Sequence, residues 1–183
     1  MVILGSNDDL LTAIERRFRH NDVIVSILKP ENISPNDMEI KSTLKTLGEE
    51  KGTIDGFLYL ACNTEAEGIV PFLFAKHLSR YFHGSGHPSR KAFIVVMSLD
   101  GAFGLQEYQN WQPETAALTG LVKSLHQEWP WVYTKVIDLS PTFNVEFAAE
   151  SILSEWLDAD GRSVEVGITE QSRHTIDFEM MKE

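Results

Sequence analysis

The chain has 183 residues, 43% of them hydrophobic, with 16 Lys and Arg against 27 Asp and Glu for a net charge of −11. That length can hold one domain with a real core, and that charge disfavours nucleic acid and anionic membrane, which both need a basic face. A single cysteine, Cys62, cannot form an internal disulfide and fits a reducing cytoplasm, and no apolar run reaches the ~20 residues of a membrane span.

Met1 runs straight into Val2-Ile3-Leu4, a short strand, and the expectation is a piece cut from a longer polypeptide at a strand edge. Gly5 turns the chain. Ser6 or Asn7 caps a helix running to about His20, with Leu10, Leu11, Ile14 and Phe18 toward the core. Ser6 with Asp9 three residues on resembles a capping box. Val23 to Leu28 is a nearly continuous apolar strand. Pro30 to Gly52 is polar, and Met38 to Leu47 within it reads as a short amphipathic helix. Ile54 to Ala61 is a third strand. Glu65 to Phe82 gives a long helix carrying Ile69, Phe72, Leu73, Lys76 and Leu78. His83 to Arg90 is a loop rich in Gly, Ser and His. Ala92 to Met97 is the fourth and most hydrophobic strand, and a loop from Asp100 to Gln112 follows it.

Pro113 to Pro141 is the clearest unit. Pro113 suits the first helical position, where its missing N–H costs nothing. Ala117, Leu118, Leu121, Val122 and Leu125 recur at three- and four-residue spacing and make one apolar stripe. Gly120 interrupts the stripe at a cost of roughly 1 kcal/mol against alanine, so it is expected to mark close approach to a neighbouring backbone. Pro130 stops the helix, and Trp131 to Leu139 reads as a strand. Phe147 to Leu157 is another helix. Ser163 to Thr169 and His174 to Phe178 alternate apolar and polar residues and read as a closing edge pair. Helices alternating with continuously apolar strands mean a parallel sheet covered on both faces. The fold class is α/β, an open, doubly wound Rossmann-like sheet, in a single domain over residues 1–183.

Such sheets bind ligands beyond the carboxyl ends of their strands. A dinucleotide site after the first strand needs several glycines so that the backbone can approach the pyrophosphate. Here the sequence is Gly5-Ser6-Asn7-Asp8-Asp9: one glycine of three, and two carboxylates where the phosphates would go. A helix N-terminus stabilises such carboxylates, so the chain is read as having filled its own anion site. After the third strand, Cys62-Asn63-Thr64 contains no glycine. After the fourth, Ser98 stands where a short-chain reductase keeps its catalytic serine, and Tyr108 follows. That chemistry needs a lysine four residues after the tyrosine, to lower the phenol's pKa. The residue there is Gln112, and no lysine in the chain has a tyrosine four positions before it. Ser98 is read as a strand-end turn residue and Tyr108 as packing or surface.

His77, His83 and His87 lie close in sequence, but Gly84 and Gly86 argue for a solvated loop rather than a zinc helix. Asp8 and Asp9 resemble the acidic pair of a phosphoacceptor domain, but Asp55 opens the third strand instead of ending it, and Lys135 lies inside a strand. Cys62 has no evident histidine partner and reads as a small buried hydrophobe. Trp111, Trp129 and Trp131 cluster at the ends of the central helix. They read as the edge of the core or as a docking surface.

Phe93 to Leu105 and Glu114 to Pro130, followed by Val136-Ile137-Asp138-Leu139, resemble the ketoreductase region of multidomain polyketide synthases. The likeness extends to the large synthases that make polyunsaturated fatty acids. That family's ketoreductase has two Rossmann-like halves, and this chain is similar to the first. The resemblance rests on Gly120-Leu121, Lys123, Leu125, Glu128-Trp129-Pro130, a strand ending in Asp138-Leu139, and the closing strands Val164 to Gly167 and Arg173 to Ile176. It implies a truncated Rossmann-like, mostly parallel sheet with a structural and non-catalytic role, and no catalytic, cofactor or metal residue in this chain. It further implies that NADPH is held by a catalytic subdomain that follows in the same polypeptide, with an acyl carrier protein as an indirect partner. Nucleic acid and membrane are not expected partners. Weighed against it are a divergent stand-alone short-chain reductase using Ser98 and Tyr108, and an acidic α/β interaction module.

Overall fold

The computed structural model describes residues 1–61, 68–83, 90–105 and 113–176. Among these, seven strands form one sheet in the order β2-β1-β3-β4-β5-β6-β7. They are β1 (Val2–Leu4), β2 (Ser26–Leu28), β3 (Gly56–Leu60), β4 (Lys91–Met97), β5 (Val132–Leu139), β6 (Glu165–Ile168) and β7 (Arg173–Thr175). Neighbours pair in parallel throughout, except that β7 runs antiparallel to β6. The helices are α1 (Asp8–His20), α2 (Asp37–Lys51), α3 (Ile69–His83), α4 (Pro113–Glu128) and α5 (Val145–Leu157). This is the Rossmann-like, mostly parallel α/β sheet that the alternation of elements predicts.

Side chains of a strand alternate between the faces of its sheet, and both faces here are covered. In β3, Phe57 and Tyr59 go to one core while Leu58 and Leu60 go to the other. The first core lies under α2, α3 and α4, around Ile40, Leu44, Phe74, Leu78, Leu118 and Val122. Phe57 anchors it, with ring centroids 4.8 Å from Phe74 and 5.1 Å from Phe93. The second lies under α1 and α5, around Leu11, Ile14, Phe18, Ala149 and Ile152. Burial on both faces is why the strands read as unbroken apolar runs.

Local chemistry moves several boundaries. Asn7, not Ser6, caps α1: its Oδ1 accepts the Leu10 amide at 3.0 Å, so the Ser6–Asp9 box does not form. Asn36 accepts the Met38 and Glu39 amides, which starts α2 at Asp37, and the helix then runs past Leu47 to Lys51. The segment from Val23 is spent closing α1, where Asp22 has φ 60° and the Val23 amide donates to Phe18 O. Ladder pairing therefore begins only at Ser26. Asn144 caps α5 through the Phe147 amide and brings its start forward to Val145.

The expectation for Gly120 is wrong. It is exposed, and nothing lies within 4 Å of where a Cβ would sit. Close backbone approach occurs elsewhere, where Gly167 of β6 passes against Gly101 in the loop after β4; a Cβ on either would collide with the other segment's backbone.

Candidate functional site

β1 lies between β2 and β3, so the winding of the sheet reverses there. Ligands of open α/β sheets bind beyond the carboxyl ends of the strands at such a point. Here the crevice is about 200 Å³, walled by Leu10, Leu60, Val96, Leu139 and Phe143, with Ser98 and Ser140 at its rim. Among the described residues no lysine or tyrosine lines it. Leu60 is what closes it. A Cβ on Gly5 would stand 2.9 Å from the Leu60 Cβ, so that side chain already fills the space beneath the glycine turn. Asp8 and Asp9 sit in the first turn of α1, as the sequence places them, but both are exposed and Asp8 pairs with Lys29. The anion site is therefore closed from below by apolar side chains, and the carboxylates add negative charge at its rim. The Asn7 cap also takes up the Leu10 amide, one of the donors that a phosphate would use.

Ser98 is exposed at the end of β4, beside this crevice. Tyr108, Gln112, Trp111, Cys62, Asn63, Thr64, Gly84, Gly86 and His87 lie outside the described residues.

The carboxyl end of the sheet carries one group that sequence patterns pass over. Asp138, the penultimate residue of β5, is fully buried. Its Oδ1 accepts the Leu99 amide and its Oδ2 the Phe103 amide, both at 2.7 Å. Asp100 accepts the Ala102 and Gly104 amides at 2.8 Å. Two carboxyl groups thus hold a loop that needs left-handed backbone at Gly101, Phe103 and Gly104. Burial first, and the neighbouring Asp100 carboxyl after it, push the Asp138 pKa up to about 6 although the two amides favour its charge. With both oxygens engaged by backbone, Asp138 shapes a loop. A carboxylate following the apolar pair Val136-Ile137 near the end of a buried strand is the sequence signal that could have found it.

A second ionic cluster lies under α5. Lys135 is fully buried in β5, and its Nζ donates to Glu155 Oε2 at 2.6 Å and Asp158 Oδ2 at 3.0 Å. Arg173 of β7 donates to the same carboxylates from outside. Burial opposes ionisation of Glu155, but hydrogen bonds from Arg173 and Lys135 outweigh it and hold the carboxyl below the usual range. Burial likewise opposes the Lys135 charge and is outweighed by its bonds to Glu155, Tyr133 and Asp158, so its pKa rises.

His77 and His83 both have partners. His77 Nε2 lies 2.8 Å from Asp37 Oδ1, tying α3 to α2, and His83 Nδ1 lies 2.7 Å from Ser79 O. Among the described residues no group of three His, Cys, Asp or Glu could hold a metal ion, and no helix is long and apolar enough to cross a membrane. Asp55 precedes β3 and pairs with Lys91.

The open surface lies on the other side of the sheet, between α3 and α4. A groove of about 890 Å³ runs there, lined by Phe72, Ala75, Ala117, Leu121, Leu125 and Trp129, with Lys76, His83 and Glu128 at its margin. Phe72 is 55% exposed and Ile69, one turn earlier on α3, 53%. In α4, Leu118, Val122 and Leu125 face the core, whereas Ala117, Gly120 and Ser124 are exposed and Leu121 is half-buried. The apolar stripe read from the sequence is thus wider than the buried face, and its surplus edge is flat and made of small residues. Of the predicted tryptophans, Trp129 is buried edge-on to Phe82 at 5.8 Å and forms part of the groove floor. Trp131 is 48% exposed and packs on the His83 ring at 4.4 Å.

No protein-family model and no curated protein matches the chain. Solved structures do. It is similar to the first ketoreductase of the tylosin PKS, with a TM-score of 0.68 and 15% identity, over 95% of this chain and 37% of that one. It is similar also to a multidomain structure of adenylation, ketoreductase and pseudo Asub domains from a keto acid-selecting NRPS module, with a TM-score of 0.73 and 15% identity, over 94% of this chain and 16% of that one. A small-chain dehydrogenase matches with a TM-score of 0.63 and 14% identity, over 91% of this chain and 94% of that one. The likeness establishes the ketoreductase and short-chain dehydrogenase fold. The chain spans little more than a third of the tylosin ketoreductase chain.

Proposed function

We propose that this chain is the non-catalytic structural half of a split ketoreductase in a polyketide or polyunsaturated fatty acid synthase. Its role is to dock on and stabilise a catalytic half that binds NADPH and reduces a carrier-bound acyl chain in the cytoplasm. The observation that carries this reading is the contrast between its two surfaces. The crevice where a nucleotide would lie is narrowed by Leu60, while the α3/α4 face exposes Phe72, Ile69 and a flat strip around Gly120. A helix without a side chain at that position lets a partner helix come close. The share of the tylosin ketoreductase chain that this one does not cover is room enough for a second Rossmann-like unit as occupant of the face.

The test has two arms. Titration calorimetry of NADPH into the chain is expected to give no binding, and the catalytic half from the same polypeptide, supplied separately, is expected to co-elute with it. Tight NADPH binding, or no association with that half, would overturn the proposal.

A second reading is a stand-alone short-chain reductase. The near-complete coverage of a small-chain dehydrogenase favours it. It requires Ser98 and Tyr108 to act with a lysine brought from elsewhere in space. Carbonyl reduction that disappears on Ser98→Ala and on Tyr108→Phe would establish it.

A further inference from the structure

β7 is attached unlike any other strand of the sheet. It pairs with β6 from Ile168↔Arg173 to Val166↔Thr175. None of its three residues is apolar and none is buried: Arg173 and Thr175 are exposed and His174 is half-buried. Strands are ordinarily held by apolar side chains on a covered face. Among the described residues, the side-chain bonds from β7 to elements other than its own hairpin run through one guanidinium. Arg173 Nε donates to Glu155 Oε1 at 2.6 Å, and Nη2 donates to Glu155 Oε2 at 3.1 Å and to Asp158 Oδ2 at 3.3 Å.

The socket keeps a second cation beneath its occupant. Glu155 and Asp158 are gripped from beneath by Lys135, which is itself fully buried. Breaking a buried ion pair is costly because it strands a charge. Withdrawal of Arg173 takes the partner from Glu155 Oε1 and leaves the cluster one net negative charge, but Lys135 still bonds both carboxylates, Asp158 is partly open to water, and the Arg173 side chain, 41% exposed, goes to water. β6 also survives the loss. It is paired along its other edge to β5, and Val166 and Ile168 stay buried.

We propose that β7 is a releasable edge strand, latched by Arg173 in a carboxylate socket that Lys135 keeps preformed, and that its release bares the edge of β6. A bare edge leaves unpaired backbone N–H and C=O groups along β6. Because the closing contact is a half-exposed ion pair, salt weakens it, while the Lys135 pairs beneath are shielded.

Hydrogen exchange read by mass spectrometry on the full chain tests this. Between about 0.01 M and about 1 M salt the screening length falls from about 30 to 3 Å. Exchange at 173–175 is expected to rise roughly tenfold or more over that range, with β5 and α5 amides unchanged. Arg173→Gln should exchange fast at both salts, and Arg173→Lys should restore the salt dependence. Exchange at 173–175 that ignores salt would overturn the proposal. So would a loss of protection in β5 and α5 alongside β7 in Arg173→Gln, because the ion pair would then belong to the core.

Discussion

The crevice at the switch point and the α3/α4 face are two places where this fold could meet another molecule, and the chain treats them oppositely. The crevice is narrowed by Leu60 and Phe143 to about 200 Å³; the groove is left at about 890 Å³ with Phe72 in solvent. A nucleotide site depends on backbone coming close to phosphate, so one leucine and a capping asparagine are enough to remove it. An interface between helices depends on a broad apolar face, and no single side chain can cover that.

The largest effect should come from charging the open face. Phe72→Asp and Leu121→Asp place an unpaired carboxylate where a docked partner would exclude water. Association with the catalytic half should weaken by roughly a thousandfold, about 4 kcal/mol. Phe72 is exposed, so its variant should melt close to the parent. Undiminished association would break the contrast between the two surfaces, since the groove would then face nothing.

The next effect belongs to the carboxyl end of the sheet. Asp138 is raised from 3.8 to about 6, so its ionised form is disfavoured in the fold. The stability it contributes is full below pH 3.8 and is lost as the pH rises through about 6. The size is about 3 kcal/mol. Carboxyls held low, such as Glu155 and Asp158, act with the opposite sign, so the quantity to measure is the parent's denaturant-unfolding free energy minus that of Asp138→Asn, followed from pH 4 to 7. That difference should fall as the pH rises; a flat one would place the cost of the carboxyl end elsewhere.

What the sequence disclosed followed from periodicity. Strand order along the chain, the parallel sheet and the core positions Leu118, Val122 and Leu125 all come from spacing that local sterics impose. Gly5-Ser6-Asn7-Asp8-Asp9 disclosed a turn with one glycine where a dinucleotide turn has three, because a missing glycine is visible in one dimension. Leu60 was not legible as the residue that closes the crevice, since it lies 55 positions from Gly5 and meets it only through β1–β3 pairing. Gly120 misled for a related reason. A glycine in a helix says that a Cβ is unwanted, but not whether the reason is a neighbour already in place or one still to arrive. The tryptophans stood out by residue type, while the surface itself is built from Phe72, Ala117 and Leu121, which look like ordinary core residues in sequence.

Two smaller effects sharpen the closed side of the comparison. Gly5→Ala sets a Cβ against Leu60 and should cost about 2 kcal/mol. Combined with Leu60→Ala, part of that cost should vanish, and a double-mutant cycle reads the coupling. Strict additivity would mean that Leu60 does not press on the turn.

The smallest effect tests whether the start of α1 keeps any memory of anion binding. Asn7→Ala removes the oxygen that accepts the Leu10 amide, and loss of such a cap costs about 1 kcal/mol. The freed N–H group points into the position that a phosphate would take in a nucleotide-binding sheet. Asp8 and Asp9 stand in the same turn with Asp8 paired to Lys29, so an anion brought there still meets net negative charge, and pyrophosphate should not return the lost stability. Thermal melts of the variant with and without pyrophosphate decide it. If pyrophosphate raised the melting temperature of Asn7→Ala but not of the parent, the asparagine would be a plug in a site that still works, and the closed crevice would differ from an active one by a single side chain.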